Sequence, residues 1–265
     1  MKTAILRAPG INCNHETALA FELAGAVAEE VHVNDLIADP KRLRDYQILA
    51  FPGGFSFGDD ISSGQVLARK LKYRLAEPLA EFVASGKLVL GICNGFQVLV
   101  KLGLLPAATP SRTNDAPTDT TWIQEAALTH NESGHFEDRW VNLKVNPDSR
   151  CVFTQGLPDV IYLPVRHGEG RFLPQNPELL DRLREEGQVA VRYSDDKGNS
   201  GPYPLNPNGS IDHIAGICDP TGRVFGLMPH PEVFVRPSQH PRWTRGAGDE
   251  IDGMAIFKNA VSYWA

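Results

Sequence analysis

Cysteine is scarce. The 265 residues hold four, at Cys13, Cys93, Cys151 and Cys218, with no C-x-x-C pair. That spacing gives only weak support to a disulfide framework or a metal site, and it fits a reducing cytoplasmic setting. No apolar run approaches the roughly 18 residues that a membrane-spanning helix needs. The opening MKTAILRAPG has an apolar run cut short at Arg7 and Pro9, too brief for a secretory leader. Positive charge is not in excess: 26 Lys and Arg against 32 Asp and Glu give a formal net charge of −6. This balance argues against a nucleic-acid or anionic-membrane surface. Neither G-x-x-x-x-G-K-[ST] nor G-x-G-x-x-G leading into a helix occurs, so a phosphate-cradling loop is excluded. Internal repeats are absent as well.

The composition that remains, 42% hydrophobic and 22% charged, is that of a soluble globular enzyme with core enough for one large α/β domain over 1–265. Residues 3–7, 30–33 and 46–51 read as strands, with a helix at 16–24 and a short polar turn at 41–45. This rhythm predicts a parallel sheet with helices on both faces. A long helix at 66–85 carries Pro78. The segment 107–121 is rich in Pro, Thr, Ser, Asn and Asp, which predicts an exposed excursion over about 107–129. Further strands are expected at 136–145, 161–165 and 189–193. A helix is expected at 178–186, and paired strands at 211–218 and 223–228 around a four-residue turn. A closing helix is expected at 254–264.

Residues 87–104, KLVLGICNGFQVLVKLGL, begin as an apolar run and continue with helical spacing. Between the two parts lies Gly91-Ile92-Cys93-Asn94-Gly95, the G-x-nucleophile-x-G elbow with cysteine in the serine position. A nucleophile at a sharp strand-to-helix turn needs small neighbours, because side chains two residues either side would collide. The helix N-terminus favours thiolate over thiol, and the Asn94 N–H is left to hold an oxyanion. The plain reading, a buried structural cysteine in a βα turn, stands beside this one.

Three further stretches bear on chemistry. Gly53 and Gly54, in PGGFSFGDD after a strand, suit a backbone that brings a second oxyanion donor to a ligand, or else a flexible turn. Asp59 and Asp60 are adjacent and point apart in extended chain, so capping or loop hydrogen bonds suit them better than paired catalysis. His167 and Glu169 lack a third ligand at metal-binding spacing, and a polar turn facing the site or an interface is the better reading, so no metal is expected. Pro229-His230-Pro231-Glu232 follows a strand end. In extended chain His230 and Glu232 share a side, so the carboxylate can orient the imidazole while its other nitrogen meets a nucleophile. A surface histidine between prolines is the alternative.

GICNGFQ, FPGGFSFGDD and MPHPE together resemble the class I, triad-type glutamine amidotransferases. Within them, Asn94-Gly95-Phe96-Gln97, the set Asn131, Ser133, Phe136, Glu137 and Arg139, HGEGR at 167–171 and DGMAIFKNA at 252–260 are similar to the glutaminases of phosphoribosylformylglycinamidine synthases in purine biosynthesis. The resemblance implies a three-layer α/β/α, flavodoxin-like fold with a mostly parallel central sheet. It implies that Cys93, His230 and Glu232 hydrolyse L-glutamine through a thioester, with Gly53 or Gly54 and Asn94 as oxyanion donors and Gln97 supporting the glutamine pocket. Ammonia would pass to a synthetase subunit that holds ATP and Mg, with a small third subunit; no cofactor is implied in this chain. The 107–129 and 235–249 stretches resemble additions of the fused, single-chain enzyme, since stand-alone subunits of the family are expected to be shorter. Trp122 and Trp243 are expected at or near a docking surface. A glutaminase serving another synthetase, a different cysteine-elbow α/β protein, or a non-catalytic module of the same fold are the alternatives.

Overall fold

A computed structural model describes residues 1–107, 111–112, 120–247 and 251–264, with side chains omitted at 111–112 and 120–121. In chain order the first half holds β1 (Lys2–Arg7), α1 (Asn14–Leu23), β2 (Val27–His32), α2 (Val33–Ala38), β3 (Ile48–Phe51), α3 (Gln65–Ala84), β4 (Leu88–Ile92) and α4 (Asn94–Leu102). The second half adds β5 (Ser111–Arg112), β6 (Thr120–Thr121), β7 (Ala126–Thr129), β8 (Glu137–Val145), β9 (Val160–His167) and β10 (Arg171–Pro174). It closes with α5 (Pro177–Glu185), β11 (Val189–Ser194), β12 (Ile214–Cys218), β13 (Val224–Leu227) and α6 (Asp252–Ser262).

Nine strands form one sheet in the order β2-β1-β3-β4-β13-β12-β11-β8-β9. β2, β1, β3, β4 and β13 pair in parallel, and every pairing from β13 to β9 is antiparallel. Because the antiparallel strands alternate, seven of the nine run one way, and only β12 and β8 oppose them. The expected direction of the sheet holds, with the antiparallel pairing confined to one half.

The inner strands β3, β4 and β13 of the parallel half are uninterrupted apolar runs, buried at every position. A strand buried on both faces needs a layer on each. Neighbouring residues of β13 show which: Phe225 packs its ring 5.5 Å from Phe153, while a Cβ on Gly226 would fall 2.1 Å from the Phe96 ring of α4. Successive strand residues face opposite ways, so α4 lies on one face and the 152–154 turn on the other. α6 packs on that turn and joins α1 through an edge-on Phe21–Phe257 contact at 5.0 Å. α3 lies against α4. Pro78 sits inside α3 as expected, and the helix breaks at Leu75 (φ −134°, ψ 16°), because proline cannot donate and its ring crowds the preceding turn.

Two expectations need correction. The exposed excursion does not reach 129: Trp122, Ala126 and Leu128 are buried, and β7 pairs with β10. The part at 108–110 and 113–119 lies outside the described residues. Trp122 is 1% exposed and belongs to this chain's own core, so it is no free docking surface, whereas Trp243 is 54% exposed. The turn of six residues at α2 was not expected, because 30–33 was read as strand.

Candidate active site

The elbow is built by backbone contact. Cys93 holds φ +50° and ψ −105° between β4 and α4, a region costly for a residue with a Cβ and one that persists only where neighbours enforce it. Its N–H donates to Leu227 C=O of β13 at 2.8 Å. A Cβ on Gly95 would sit 1.9 Å from Phe51 C=O, and one on Gly91 would sit 2.6 Å from Leu99 Cδ1 and 2.9 Å from Gly95 C=O. Helix α4 therefore starts where it does only because both flanking residues lack side chains. Asn94 is its first residue, so its N–H has no acceptor within the helix. Cys93 is 5% exposed, and its sulfur donates weakly to Arg166 C=O of β9 at 3.6 Å.

β13 lies beside β4 in parallel, and the chain leaving its end brings His230 to the elbow. The His230 N–H donates to Pro164 C=O at 2.8 Å, Nδ1 meets Glu232 Oε1 at 2.5 Å, and both side chains are buried. Nε2 is left without a hydrogen-bond partner. Burial alone would depress the imidazolium, but the negative charges of Glu232 and Cys93 outweigh it. The His230 pKa ends well above the ordinary histidine value. The structure thus pairs His230 with Glu232, and the Cys93 charge acts on the same ring. Gly253 seats α6 beneath the turn, since a Cβ there would lie 2.1 Å from Pro231 C=O.

The loop after β3 presses on the same ring. A Cβ on Gly53 would stand 2.7 Å from His230 Cε1 and 3.4 Å from Cys13 Sγ. Gly53 C=O accepts from the Asn12 and Cys13 N–H groups at 3.4 and 3.2 Å. In a planar trans peptide the following N–H points the other way, so Gly54 N–H faces away from those residues. Gly54 has φ +143°.

Asn94 and Gln97 hold the elbow rather than reach outward. Asn94 Oδ1 accepts from Ser56 N–H at 3.1 Å, and its Nδ2 donates to Asp59 Oδ1 and Gln97 Oε1, both at 3.0 Å. Gln97 Nε2 donates to Glu169 C=O at 2.5 Å, so its amide is committed at both ends. Asp59 also receives Ser63 Oγ–H and Gly64 N–H at the start of α3; burial raises its pKa despite those donors. The loop-bonding role expected for it is the one observed.

The 166–171 segment closes the site as a polar turn. Asn131 donates to His167 C=O and accepts from Gly170 N–H, while Glu169 accepts from Ser63 N–H. Asn208 Oδ1 takes the Ser210 N–H and Oγ–H, so its Nδ2 is the donor to His167 Nε2 at 3.1 Å. His167 is then the Nδ1–H tautomer. Burial first, and the nearby His230 charge second, push its pKa down to about 3. His167 and Glu169 serve separate partners and form no metal-ligating pair.

Two residues escaped the sequence reading. Cys13 lies beside His230, and nothing in its local sequence signals that, because the contact runs through the Gly53 loop. Tyr193, buried near Cys93 and bonded to Asn208, sat in a strand read only for its pattern.

Residues 1–264 match the family described as CobB/CobQ-like glutamine amidotransferase domain. The chain is 52% identical to phosphoribosylformylglycinamidine synthase subunit PurQ of Dehalococcoides mccartyi, over 100% of this chain and 98% of that one. It is 46% identical to the subunit of the same name from Methanococcus maripaludis, over 99% and 97%. Among solved structures it resembles a chain of PurLQS from Thermotoga maritima, with 30% identity, a TM-score of 0.73 and coverage of 100% and 99%. These end-to-end matches correct the expectation about length. The 107–129 and 235–249 stretches are no departure from separate subunits.

Proposed function

The chain belongs to the CobB/CobQ-like glutamine amidotransferase family and, within it, to the glutaminase subunits of phosphoribosylformylglycinamidine synthase, and from that membership we propose how its residues carry out the reaction. It is a glutamine amidotransferase of purine biosynthesis. Cys93 attacks the side-chain carboxamide of L-glutamine. Against burial, Glu232 holds the His230 pKa above its usual value, which helps the ring take the proton that the attacking sulfur gives up. That proton goes to the departing ammonia. Neutral His230 then takes a proton from the water that hydrolyses the Cys93 thioester, which releases glutamate. Glu232 holds Nδ1 throughout, keeping Nε2 toward the reacting atoms.

The oxyanion of each tetrahedral intermediate is held by Asn94 N–H and by Gly54 or Gly53 N–H, each worth on the order of 3 kcal/mol. Gln97 supports the pocket by tying the elbow to 166–171. Ammonia passes to a synthetase subunit, which uses ATP to convert formylglycinamide ribonucleotide to the amidine, with a small third subunit as in PurLQS. No cofactor is needed in this chain, its setting is cytoplasmic, and residues 1–265 act as one domain. No helix among the described residues is long and apolar enough to cross a membrane.

The observation that carries this reading is His230, buried with Nδ1 on Glu232 and Nε2 unpartnered beside a cysteine on a strained elbow. The test is Cys93→Ala in the reconstituted complex. Glutamine-dependent amidine formation should disappear while ammonia-dependent formation persists; equal loss of both would overturn the scheme. Reconstitution with guanylate or pyrimidine synthetases separates the acceptors, and only the formylglycinamide ribonucleotide enzyme should gain glutamine-dependent activity.

A further inference from the structure

Cys13 is not needed for the chemistry above, yet its sulfur, an imidazole nitrogen of His230 and a carboxylate oxygen of Glu232 all lie within 4.8 Å of one another. We propose that this trio is a binding site for a soft divalent cation of the Zn²⁺ class, which locks the glutaminase when occupied.

The donor set suits such an ion. Thiolate and imidazole select zinc-like cations over Mg²⁺ or Ca²⁺, which take oxygen ligands. Bond lengths of about 2.3 Å to sulfur and about 2.0–2.2 Å to nitrogen and oxygen put tetrahedral ligands roughly 3.3–3.6 Å apart; the trio already lies within 4.8 Å, and the 2.5 Å His230–Glu232 pair has to open to admit the ion. Charge balances: one thiolate and one carboxylate offset the dication around a neutral imidazole, which matters where charge is buried.

The site is also prepared. Glu232 Oε2 is buried without a partner, on a side chain 1% exposed, and can turn to an ion held at His230 Nδ1. Cys13 sulfur has only a 3.4 Å contact to its neighbour Asn12 Oδ1. Its backbone is pinned by Gly53 C=O and by Thr17, whose N–H and Oγ–H donate to Cys13 C=O at 3.1 and 2.7 Å. Burial raises the Cys13 thiol pKa, and its place as the N-cap residue of α1, where the helix dipole favours a thiolate, works against that rise. It is the one member of the trio that is not fully buried, and so provides the entry path. Gly53 leaves open the space where ring and sulfur meet.

On binding, the cation displaces the Cys13 thiol proton and the proton between His230 and Glu232, both to solvent. With Nδ1 on the metal the ring cannot carry its second proton, so His230 is no longer the imidazolium that protonates ammonia. This consequence rests on the triad reading; the binding itself does not.

The test uses Co²⁺ alone on chelator-treated full chain, then Zn²⁺ on the assembled complex. Wild type and Cys93→Ala should both show a thiolate-to-cobalt charge-transfer band. Cys13→Ser should lose the band, keep glutamine turnover without added metal, and need at least about tenfold more Zn²⁺ for half inhibition. A band that survives Cys13→Ser, or that disappears in Cys93→Ala, overturns the site. A band that follows Cys13 while zinc-loaded complex still hydrolyses glutamine upholds the site and overturns the triad role of His230 instead.

Discussion

Glu232→Gln isolates the orienting carboxylate. Glu232 is 1% exposed, and its Oε1 lies 2.5 Å from His230 Nδ1 while Oε2 has no partner. The amide keeps the size of the side chain but removes the charge that raises the His230 pKa. It also brings an NH₂ that is either left unsatisfied or turned toward Nδ1, where it imposes the wrong tautomer. The corresponding Asp→Asn change in a serine-protease triad costs about 10⁴-fold in kcat. A thiol nucleophile is less dependent on a base, so a loss of about 10³–10⁴-fold in glutamine-dependent turnover, ~4–5.5 kcal/mol, is expected. The assay compares glutamine and ammonia as nitrogen donors in the reconstituted complex. Ammonia-dependent amidine formation should stay within about twofold of wild type, which shows that folding and docking survive. Glutamine turnover within threefold of wild type would refute the reasoning, because a carboxylate that can be neutralised at no cost is not orienting the base.

Gly95→Ala drives a methyl to 1.9 Å from Phe51 C=O; a loss on the order of 3 kcal/mol, or about 6–12 °C in Tm, should appear in a melting curve. His167 has a native pKa of about 3 against an ordinary value of 6.5. The unfolded chain therefore binds its proton first, and the stability it contributes above pH 6.5 is lost progressively down to pH 3. His167→Gln should lessen the fall in urea stability between pH 8 and pH 5 by about 2 kcal/mol; an unchanged slope would refute its buried neutral state. Trp122→Ala should cost the isolated chain about 3–5 kcal/mol, read by denaturant unfolding. Trp243→Ala should change stability by no more than about 0.5 kcal/mol, with any weakened affinity for the synthetase seen in titration.

What the sequence made legible was local. The G-x-C-x-G elbow, the H-P-E segment and the alternation of strands and helices each follow from contacts within a few residues, and each appears where expected. The pairing of Cys93 with His230 could be read from residue chemistry and the resemblance but not from local pattern, because it depends on β4 and β13 being neighbours although 131 residues lie between them. The burial of Trp122 was not legible, since the polar run before it has the composition of an exposed loop while the side chain answers to packing alone. Nor was the place of Cys13, which is settled by two hydrogen bonds to a glycine carbonyl forty residues on.

The antiparallel half of the sheet explains why the site has a third wall. β9 stands five places from β4 in the strand order. In a flat sheet, spacings of about 4.8 Å would hold the two strands ~24 Å apart. Instead, Arg166 C=O of β9 lies 3.6 Å from Cys93 Sγ, and Pro164 C=O accepts the His230 N–H. Twist accumulated over the antiparallel strands, with a register shift between β11 and β12, must curl the far edge back onto the elbow. The parallel half therefore supplies nucleophile and base from adjacent strand ends, and the curled half supplies the backbone that fixes the base and the 166–171 turn that Gln97 grips. Any change that relaxes the curl should separate His230 from Cys93 without touching either residue. That makes the long β8–β9 ladder, paired from Glu137–His167 to Lys144–Val160, as much a part of the catalytic geometry as the elbow itself.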